Sequence, residues 1–552
     1  MQLGGVRRDL PYVPEADEPV FVVAATHVAA TGDLDPGWFG HPGTTVIYPL
    51  ALGIHVWHAL AHGGRLLRPD GNLVVAYETI APELYLLGRF LSVAYAVMCV
   101  PLAYLVGSRA LGRRQAMVGA AFASVLPVAV WHAQIVRSDA AGTFFALLAL
   151  WRCLIVLEEP RARNQGLAGA AIGLAIATRY FMVTLVPVLL LVDAFVWRRA
   201  RSARVAELAG QQVAGQSFGP PVAAGRSSGQ REAAGRSSGQ TEERLVAGAL
   251  LGLAAVPLTF ALVSPYVILA AGTVIADLRY EARSVHLGSD SLSPLGNLWW
   301  YLSTALPHAL TPPLAALAVV GSLRAFLRRN IEALLLLAFV AVLLLAISLS
   351  ALHWERWLIQ ILPLGALFAA DGLVASADAA DRRLGPRATA KGWLIVAVAA
   401  IVALPAVTEV VASDVRQSRE STRQQASRWL LDNVPAESKV GIEWWTAPLL
   451  RDDFHGFAEV RTGVARPGPT AFEVMEYWRL SEAGSLDDLR GAGFDYLVVS
   501  GSWYGPVLAY SPDSSAADFY RDLMGTEPPE AEFAPDRLRG GPAIRIYKLS
   551  DE

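Results

Sequence analysis

The feature that most constrains this chain is a succession of apolar runs, each near the roughly 20 residues that a helix needs to cross a bilayer. They fall at 84–108, 115–133, 140–158, 245–264, 306–323, 331–349, 357–377 and 393–412. A further run, 166–197, is too long for one crossing and is interrupted by Thr178, Arg179 and Tyr180, so it reads as two short helices meeting at a polar turn. Backbone left unpaired in lipid is too costly for irregular structure, so the expectation is a polytopic all-α membrane protein with about ten spans. Composition agrees, with 54% of residues hydrophobic and 17% charged. A net charge of −3 is close to balance and argues for neither a nucleic-acid nor an acidic partner, so no nucleic acid is expected. Cys99 and Cys153 both fall inside apolar runs and read as packing, not as a disulfide or a metal site.

The basic residues orient the spans. Arg109, Arg113 and Arg114, then Arg161 and Arg163, Arg198 to Arg204, Arg324 to Arg329, and Arg382 to Lys391 all fall on one side once the spans are drawn. By the positive-inside rule that side is cytoplasmic, in a cell inner (plasma) membrane. The opposite, extracytoplasmic face then collects Arg137 to Asp139, Arg179, the loop 264–301, His353 to Arg356 and everything after Ala412. This parity also decides 44–62, which is apolar but carries His55, His58 and His62. A crossing there would strand Asp17 and Glu18 in the cytoplasm, so 18–31 and 44–62 read as outer-face juxtamembrane helices.

Three regions follow: 1–83, an external acidic loop with juxtamembrane helices; 84–412, the transmembrane domain; and 413–552, an extracytoplasmic domain. Within the second, 205–244 carries AAGRSSGQ twice, at 223–230 and 233–240, in a background without an apolar face, and reads as a disordered cytoplasmic linker. The third has a helix pattern through 423–431 and strand-like VGIEWW, FDYLVVSG and AIRIYKL, which predict a small soluble α/β domain.

The polar chemistry begins with PYVPEADEPVFVVAATHVAATGDLDPGWFGHPG at 11–43. That segment resembles the first external loop of the GT-C glycosyltransferases of family 39, the prokaryotic relatives of protein O-mannosyltransferase and of the lipid A aminoarabinose transferase. The resemblance continues through LGRFLSVAYAV, IVRSDAAGTFFALLAL, GLAIATRYFMVTLVPVLL, SPYVIL, the RSVHLG of 283–288 and HWERWLIQILPLGAL, up to about residue 412. It implies a GT-C fold and transfer of a sugar from a polyprenyl-phosphate donor to a protein, glycolipid or glycan hydroxyl, with inversion. Family members carry a transmembrane helix before the acidic loop, so the resemblance also implies one ahead of Met1.

Such a transfer needs a carboxylate beside the acceptor hydroxyl and cations on the phosphate. By resemblance Asp17 is the catalytic base or a metal ligand, with Glu18 in support. The plain structural reading of Asp17 is an N-terminal cap before a helix with Pro19 in its first turn. Arg137 and Asp139 read equally as a mutual salt bridge or as sugar and metal ligands at the end of a span. Arg89, Arg179 and Arg356 converge on the same face, where a guanidinium can fork onto phosphate or merely snorkel; Arg356, opening a helix in HWERW, is the strongest phosphate candidate. His286 is a further candidate for phosphate or metal, and His41 lies close to the acidic loop in sequence. A divalent cofactor (Mg, Mn or Zn) would take Asp17 and Asp139. Trp299, Trp300 and Tyr301 suit an interfacial belt or the border of a lipid groove. Trp444, Trp445, Tyr477 and Trp478 suit a glycan surface or a domain core. The alternative function is a polytopic transporter or lipid flippase, which predicts paired repeats and interrupted helices.

Overall fold

The computed structural model describes residues 15, 17–40, 42–61, 72–214, 228–384, 388–444, 446–447, 449, 464–466 and 472–549. Helices dominate up to residue 433. In chain order they are α1 (Glu18–Thr31), α2 (Thr44–Ala61), α3 (Asn72–Ala110), α4 (Arg113–Ala123), α5 (Pro127–Ala133), α6 (Ser138–Glu158), α7 (Ala162–Thr178), α8 (Val186–Ala214) and α9 (Ser228–Val263). There follow α10 (Tyr266–Leu269), α11 (Ala271–Glu281), α12 (Pro294–Trp300), α13 (Leu306–Leu310), α14 (Pro312–Leu327), α15 (Ile331–Ser348), α16 (Leu362–Leu384), α17 (Ala388–Gln417) and α18 (Thr422–Asn433). Short 3-10 turns, Tyr180–Leu185 and Glu355–Ile361, lead into α8 and α16.

Among the described residues eight helices are long and apolar enough to cross a membrane, or up to ten if each of two bent pairs is one span. The pairs break by 60° between α4 and α5 and by 116° between α13 and α14. Proline explains both places: Pro127 and Pro312 open the second member of each pair, where a missing N–H costs nothing. Thr178 and Arg179 interrupt 166–197 as expected, since α7 ends at Thr178 and Arg179 is extended. Where α7 meets α9 the backbones nearly touch, because a Cβ added at Gly169 would collide with the carbonyl oxygen of Gly252. Small residues permit such approach, and dispersion across it replaces the hydrophobic drive that lipid does not supply.

The two ends of the bundle differ in chemistry. At one end Arg109 pairs with Glu158 at 3.4 Å, Arg114 with Asp378 at 3.8 Å, and Asn330 Nδ2 donates to the Ala110 carbonyl at 2.8 Å. At the other lie the start of α1, the α5–α6 junction, Arg179 and Glu355–Ile361, with Gln134 Nε2 donating to Asp414 at 3.0 Å. Arg109, Arg114 and the turn at Asn330 thus share one end of the bundle.

Two segments need separate description. The linker 205–244 is helical wherever it is described, as α8 runs to Ala214 and α9 starts at Ser228. Charged and small residues tolerate a helix without requiring an apolar face, and residues 215–227 lie outside the described set. Helix α2 has the length and hydropathy of a crossing, 18 residues at mean hydropathy 1.2, although its Thr44 and Thr45 bond to Ser264 and Thr178 at the site end of α9 and α7.

After α18, which a Ser421–Gln424 capping box starts, the tail folds as a six-stranded mixed sheet. Its strands are β1 (Lys439–Glu443), β2 (Val464–Arg466), β3 (Glu473–Tyr477), β4 (Tyr496–Ser500), β5 (Pro529–Phe533) and β6 (Ile544–Lys548), in the order β2-β3-β1-β4-β6-β5. The central strand β1 runs parallel to both β3 and β4. All five residues of β4 are buried, as expected of a strand covered on both faces.

Candidate active site

The acidic residues at the start of α1 do not do the same job. Glu18 and Arg89 are both fully buried and face each other as a fork: Arg89 Nε donates to Oε1 at 2.8 Å and Nη2 to Oε2 at 2.7 Å. The Val136 N–H adds a third bond to Glu18 Oε1 at 2.8 Å. This pair ties α1 to α3 and to the α5–α6 junction. This arrangement differs from the expected roles of Glu18 as catalytic support and of Arg89 as a phosphate ligand: each is a partner that lets the other be buried.

Asp17 sits at the cap position of α1 but makes no capping bond. Its Oδ2 instead accepts from Arg137 Nη2 and from Arg356 Nη1, the latter at 2.7 Å. Arg137 also donates to Glu15 at 3.0 Å through Nη1, and its Nε lies 3.5 Å from Asp139 Oδ2. Asp139, 1% exposed, pairs in turn with Arg179. Three carboxylates and three guanidiniums thus alternate in one network. Asp17, Glu15 and Arg356 form its open edge at 22% side-chain exposure, while Arg137 and Asp139 form its buried floor. Chain segments far apart in sequence supply it: the turn before α1, the extended Arg137 that precedes α6, the end of α7 and the turn before α16.

Aromatic rings brace the cations. Arg356 lies over Trp354 at 5.1 Å and Arg179 over Phe181 at 4.7 Å. Tyr301, expected in an interfacial belt, is fully buried, and its hydroxyl accepts the Trp354 N–H at 3.1 Å. Its ring supports the HWERW turn, so that expectation is corrected; Trp299, at 70% exposed, keeps the position a belt residue would have. His286 stands apart from the network. Its ring packs 5.0 Å from Trp354, 6.4 Å from Trp478 and 6.5 Å from Trp503. Burial, and then the Arg283 and Arg479 charges, push it down to about 4, which keeps the imidazole neutral.

Three participants escaped the sequence reading. Glu15 was quoted in the motif but not distinguished from its neighbours. His132 reaches within 3.9 Å of Asp139, and it also lines a cleft of about 870 Å³ with Trp131, Ser303, His308, Glu355 and Arg416. Gln360 is fully buried beside Gly142 and Arg179, with neither amide atom hydrogen-bonded among the described residues. Only the three-dimensional approach of α5, α6 and the 355–361 turn reveals them. The acidic loop's own Asp33 and Asp35 hold the backbone N–H groups of Asp35 at 3.0 Å and Gly37 at 2.9 Å, and Asp33 Oδ1 also accepts from the Tyr266 hydroxyl at 2.5 Å.

The donor set does not suit a divalent ion. Asp17 and Asp139 each face guanidinium groups, and among the described residues no group of three or more His, Cys, Asp or Glu side chains is arranged to hold a metal. His41, close to the loop in sequence, lies outside the described residues.

Residues 84–212 match the family model described as dolichyl-phosphate-mannose-protein mannosyltransferase. Over this stretch the chain is similar to that family. The match spans α3 to α8 and so includes Arg89, Arg137, Asp139 and Arg179. No curated protein matches the chain. Among solved structures, an archaeal oligosaccharyltransferase AglB from Archaeoglobus fulgidus, in complex with an inhibitory peptide and a dolichol-phosphate, is similar at 13% identity and a TM-score of 0.44, covering 91% of this chain and 66% of its own. ArnT from Cupriavidus metallidurans is similar in the apo state at 12% identity and a TM-score of 0.46, covering 98% and 95%. The same protein bound to undecaprenyl phosphate gives 14% and 0.44 at the same coverage. The chain therefore spans just under two thirds of the AglB length.

Proposed function

We propose that the chain is a membrane glycosyltransferase that moves a sugar from a polyprenyl-phosphate donor to an acceptor hydroxyl on the extracytoplasmic face. The observation that carries this reading is Asp17 held between Arg137 and Arg356 at the end of the bundle that carries the tail domain. That end is the extracytoplasmic one, since the arginine-rich loops gather at the other. A lipid-linked phosphate reaches the site from the bilayer edge, and Arg356, on the open edge, is placed to exchange Asp17 for a phosphate oxygen. The exchange opens Asp17 Oδ2 to the acceptor.

The acceptor oxygen attacks the anomeric carbon and forms the new C–O bond. The bond from that carbon to the phosphate oxygen breaks, and its electron pair leaves with the polyprenyl phosphate. The acceptor's proton passes to Asp17. One displacement on one carboxylate inverts the anomeric centre. Arg137 keeps Asp17 in position from the buried side, and Asp139 with Arg179 fixes Arg137. No step is assigned to a metal, because the carboxylates it would need are engaged by arginine.

The test is sugar transfer by purified protein from a panel of polyprenyl-phosphate sugars. Asp17→Asn is expected to lower turnover by about 10²–10⁴-fold, the range for a lost general base, with donor binding retained. Undiminished turnover in that variant removes Asp17 as the base, and no transfer by the unsubstituted protein from any donor favours a transporter.

A further inference from the structure

The parallel core of the tail sheet ends in tryptophan. Trp444 follows β1, Trp478 follows β3 and Trp503 lies just after β4, so the carboxyl ends of three adjacent strands deliver three indoles to one place. Their rings are in contact, Trp444 with Trp478 at 4.4 Å and Trp478 with Trp503 at 5.0 Å. Trp503 Nε1 donates to the Trp444 carbonyl at 3.0 Å, which fixes the indole's orientation. Trp444 is buried and anchors the group, whereas Trp478 and Trp503 remain half-exposed. Chain order places β3 on one side of β1 and β4 on the other, which makes the end of β1 a switch point in the sheet, the place where open α/β sheets take ligands.

Two polar groups at this cluster have atoms without a hydrogen-bond partner among the described residues. Arg479 is 7% exposed and lies 5.7 Å from the Trp503 ring; its Nε and Nη2 bond Glu482, but its Nη1 has no hydrogen-bond partner. His286 Nδ1 is likewise buried and unpaired, with its ring nearly parallel to Trp503 at 26°. Burying such atoms unpaired is unfavourable, since they give up water without gaining a partner. A ligand rich in hydroxyl groups would recover that energy. Trp354 joins the same cluster from the membrane side, and Arg356 stacks on it.

We infer that the ends of β1, β3 and β4 form a pyranose-binding subsite, with Trp478 and Trp503 stacking on the apolar C–H face of a sugar and Arg479 and His286 meeting its hydroxyls. The subsite holds a sugar of the acceptor and delivers its hydroxyl toward Asp17, a role that rests on the transferase reading above. Sugar binding itself does not rest on that reading. A neutral imidazole both donates and accepts, which matches a hydroxyl. An array of aromatic faces with few fixed polar groups selects a ring and its orientation.

The experiment uses the full chain in lipid nanodiscs free of glycoside detergent. Methyl α-mannopyranoside, methyl β-glucopyranoside and a short manno-oligosaccharide are titrated, with saturation-transfer NMR and tryptophan emission as readouts. The expected result is saturable binding that falls about tenfold or more in Trp503→Ala and is largely kept in Trp503→Phe, which retains a ring to stack. Asp17→Asn should bind as the native protein does. No saturable binding of any probe, or equal binding by native protein and a folded Trp503→Ala, overturns the subsite. In transfer assays Trp503→Ala should raise the acceptor KM with kcat and donor KM unchanged; a rise in donor KM instead overturns assignment to the acceptor. Sugar binding without transfer by native protein would sink the transferase reading and leave the subsite standing.

Discussion

Replacing Arg89 with methionine gives the sharpest test of how the site is supported. The substitution removes two charge-assisted bonds, of 2.8 and 2.7 Å, from a Glu18 carboxylate that is fully buried, and leaves only the 2.8 Å bond from the Val136 N–H. A buried charge stripped of its partner costs about 3–5 kcal/mol, whereas replacing both members by apolar side chains of similar volume is often neutral or better. The expected order of stability is therefore native and the Glu18→Met/Arg89→Met double variant close together, with Arg89→Met about 3–5 kcal/mol below them. Unfolding of the detergent-solubilised protein, followed by fluorescence against denaturant, reads the order directly. The reasoning fails if Arg89→Met unfolds with the native protein yet loses affinity for polyprenyl phosphate, since that outcome makes Arg89 a ligand and not a strut.

At the open edge, Arg356→Ala should weaken donor binding by about 10- to 100-fold, the worth of one hydrogen bond to a charged group; unchanged affinity in a direct titration removes it from phosphate recognition. In the tail, burial pushes Glu443 up to about 7 from an ordinary 4.5, although Tyr520, Ser500 and Leu480 all donate to it. Because the folded value is the higher one, stability is present in full below about 4.5, falls as the pH rises from there, and is lost above about 7. The difference is on the order of 3 kcal/mol, and melting of the tail at pH 5 and pH 8 should show it in the native protein and not in Glu443→Gln. Finally, Gly288 has φ of +88° and packs on Pro506, where an added Cβ would meet the Pro506 carbonyl carbon at 2.8 Å. Gly288→Ala should loosen the 283–293 loop from the helix Gly501–Tyr510, seen as faster proteolysis between the membrane part and the tail.

What the sequence revealed follows from how each signal is encoded. Spans, the break at Arg179 and the grouping of the arginines depend on local runs of composition, whereas the bends at Pro127 and Pro312 fall inside runs that read as single spans. The strands β1, β4 and β6 were legible because their apolar residues cluster; β3 and β5 were not, since they place Glu473, Glu476, Glu530 and Glu532 among few apolar residues. Asp17, Arg137, Asp139, Arg179 and Arg356 could be named from the sequence, but the way they connect could not. Asp17 and Glu18 are neighbours with identical chemistry, and only the direction each side chain takes from the start of a helix sends one to a buried fork and the other to an open edge. No spacing in the sequence links residue 17 to residue 356 or His286 to Trp503. The Gly288–Asp290 stitch is equally invisible: Gly288 N–H donates to Ser511 Oγ at 3.1 Å, Ser511 Oγ to Asp290 at 3.1 Å, and His353 N–H to the Ser289 carbonyl at 2.8 Å.

The alternating network of Glu15, Asp17 and Asp139 with Arg137, Arg179 and Arg356 is electrically neutral as it stands. On the proposed reaction a donor phosphodiester enters with a single negative charge, and the lipid monophosphate left behind carries nearly two at neutral pH, its second ionisation lying near 6. Arg356 therefore grips the spent carrier more firmly than the fresh one. Such a catalyst is slowed by its own exhaust: turnover at saturating donor should be set by escape of the lipid phosphate, and added polyprenyl phosphate should compete with the donor more strongly as the pH rises through that ionisation.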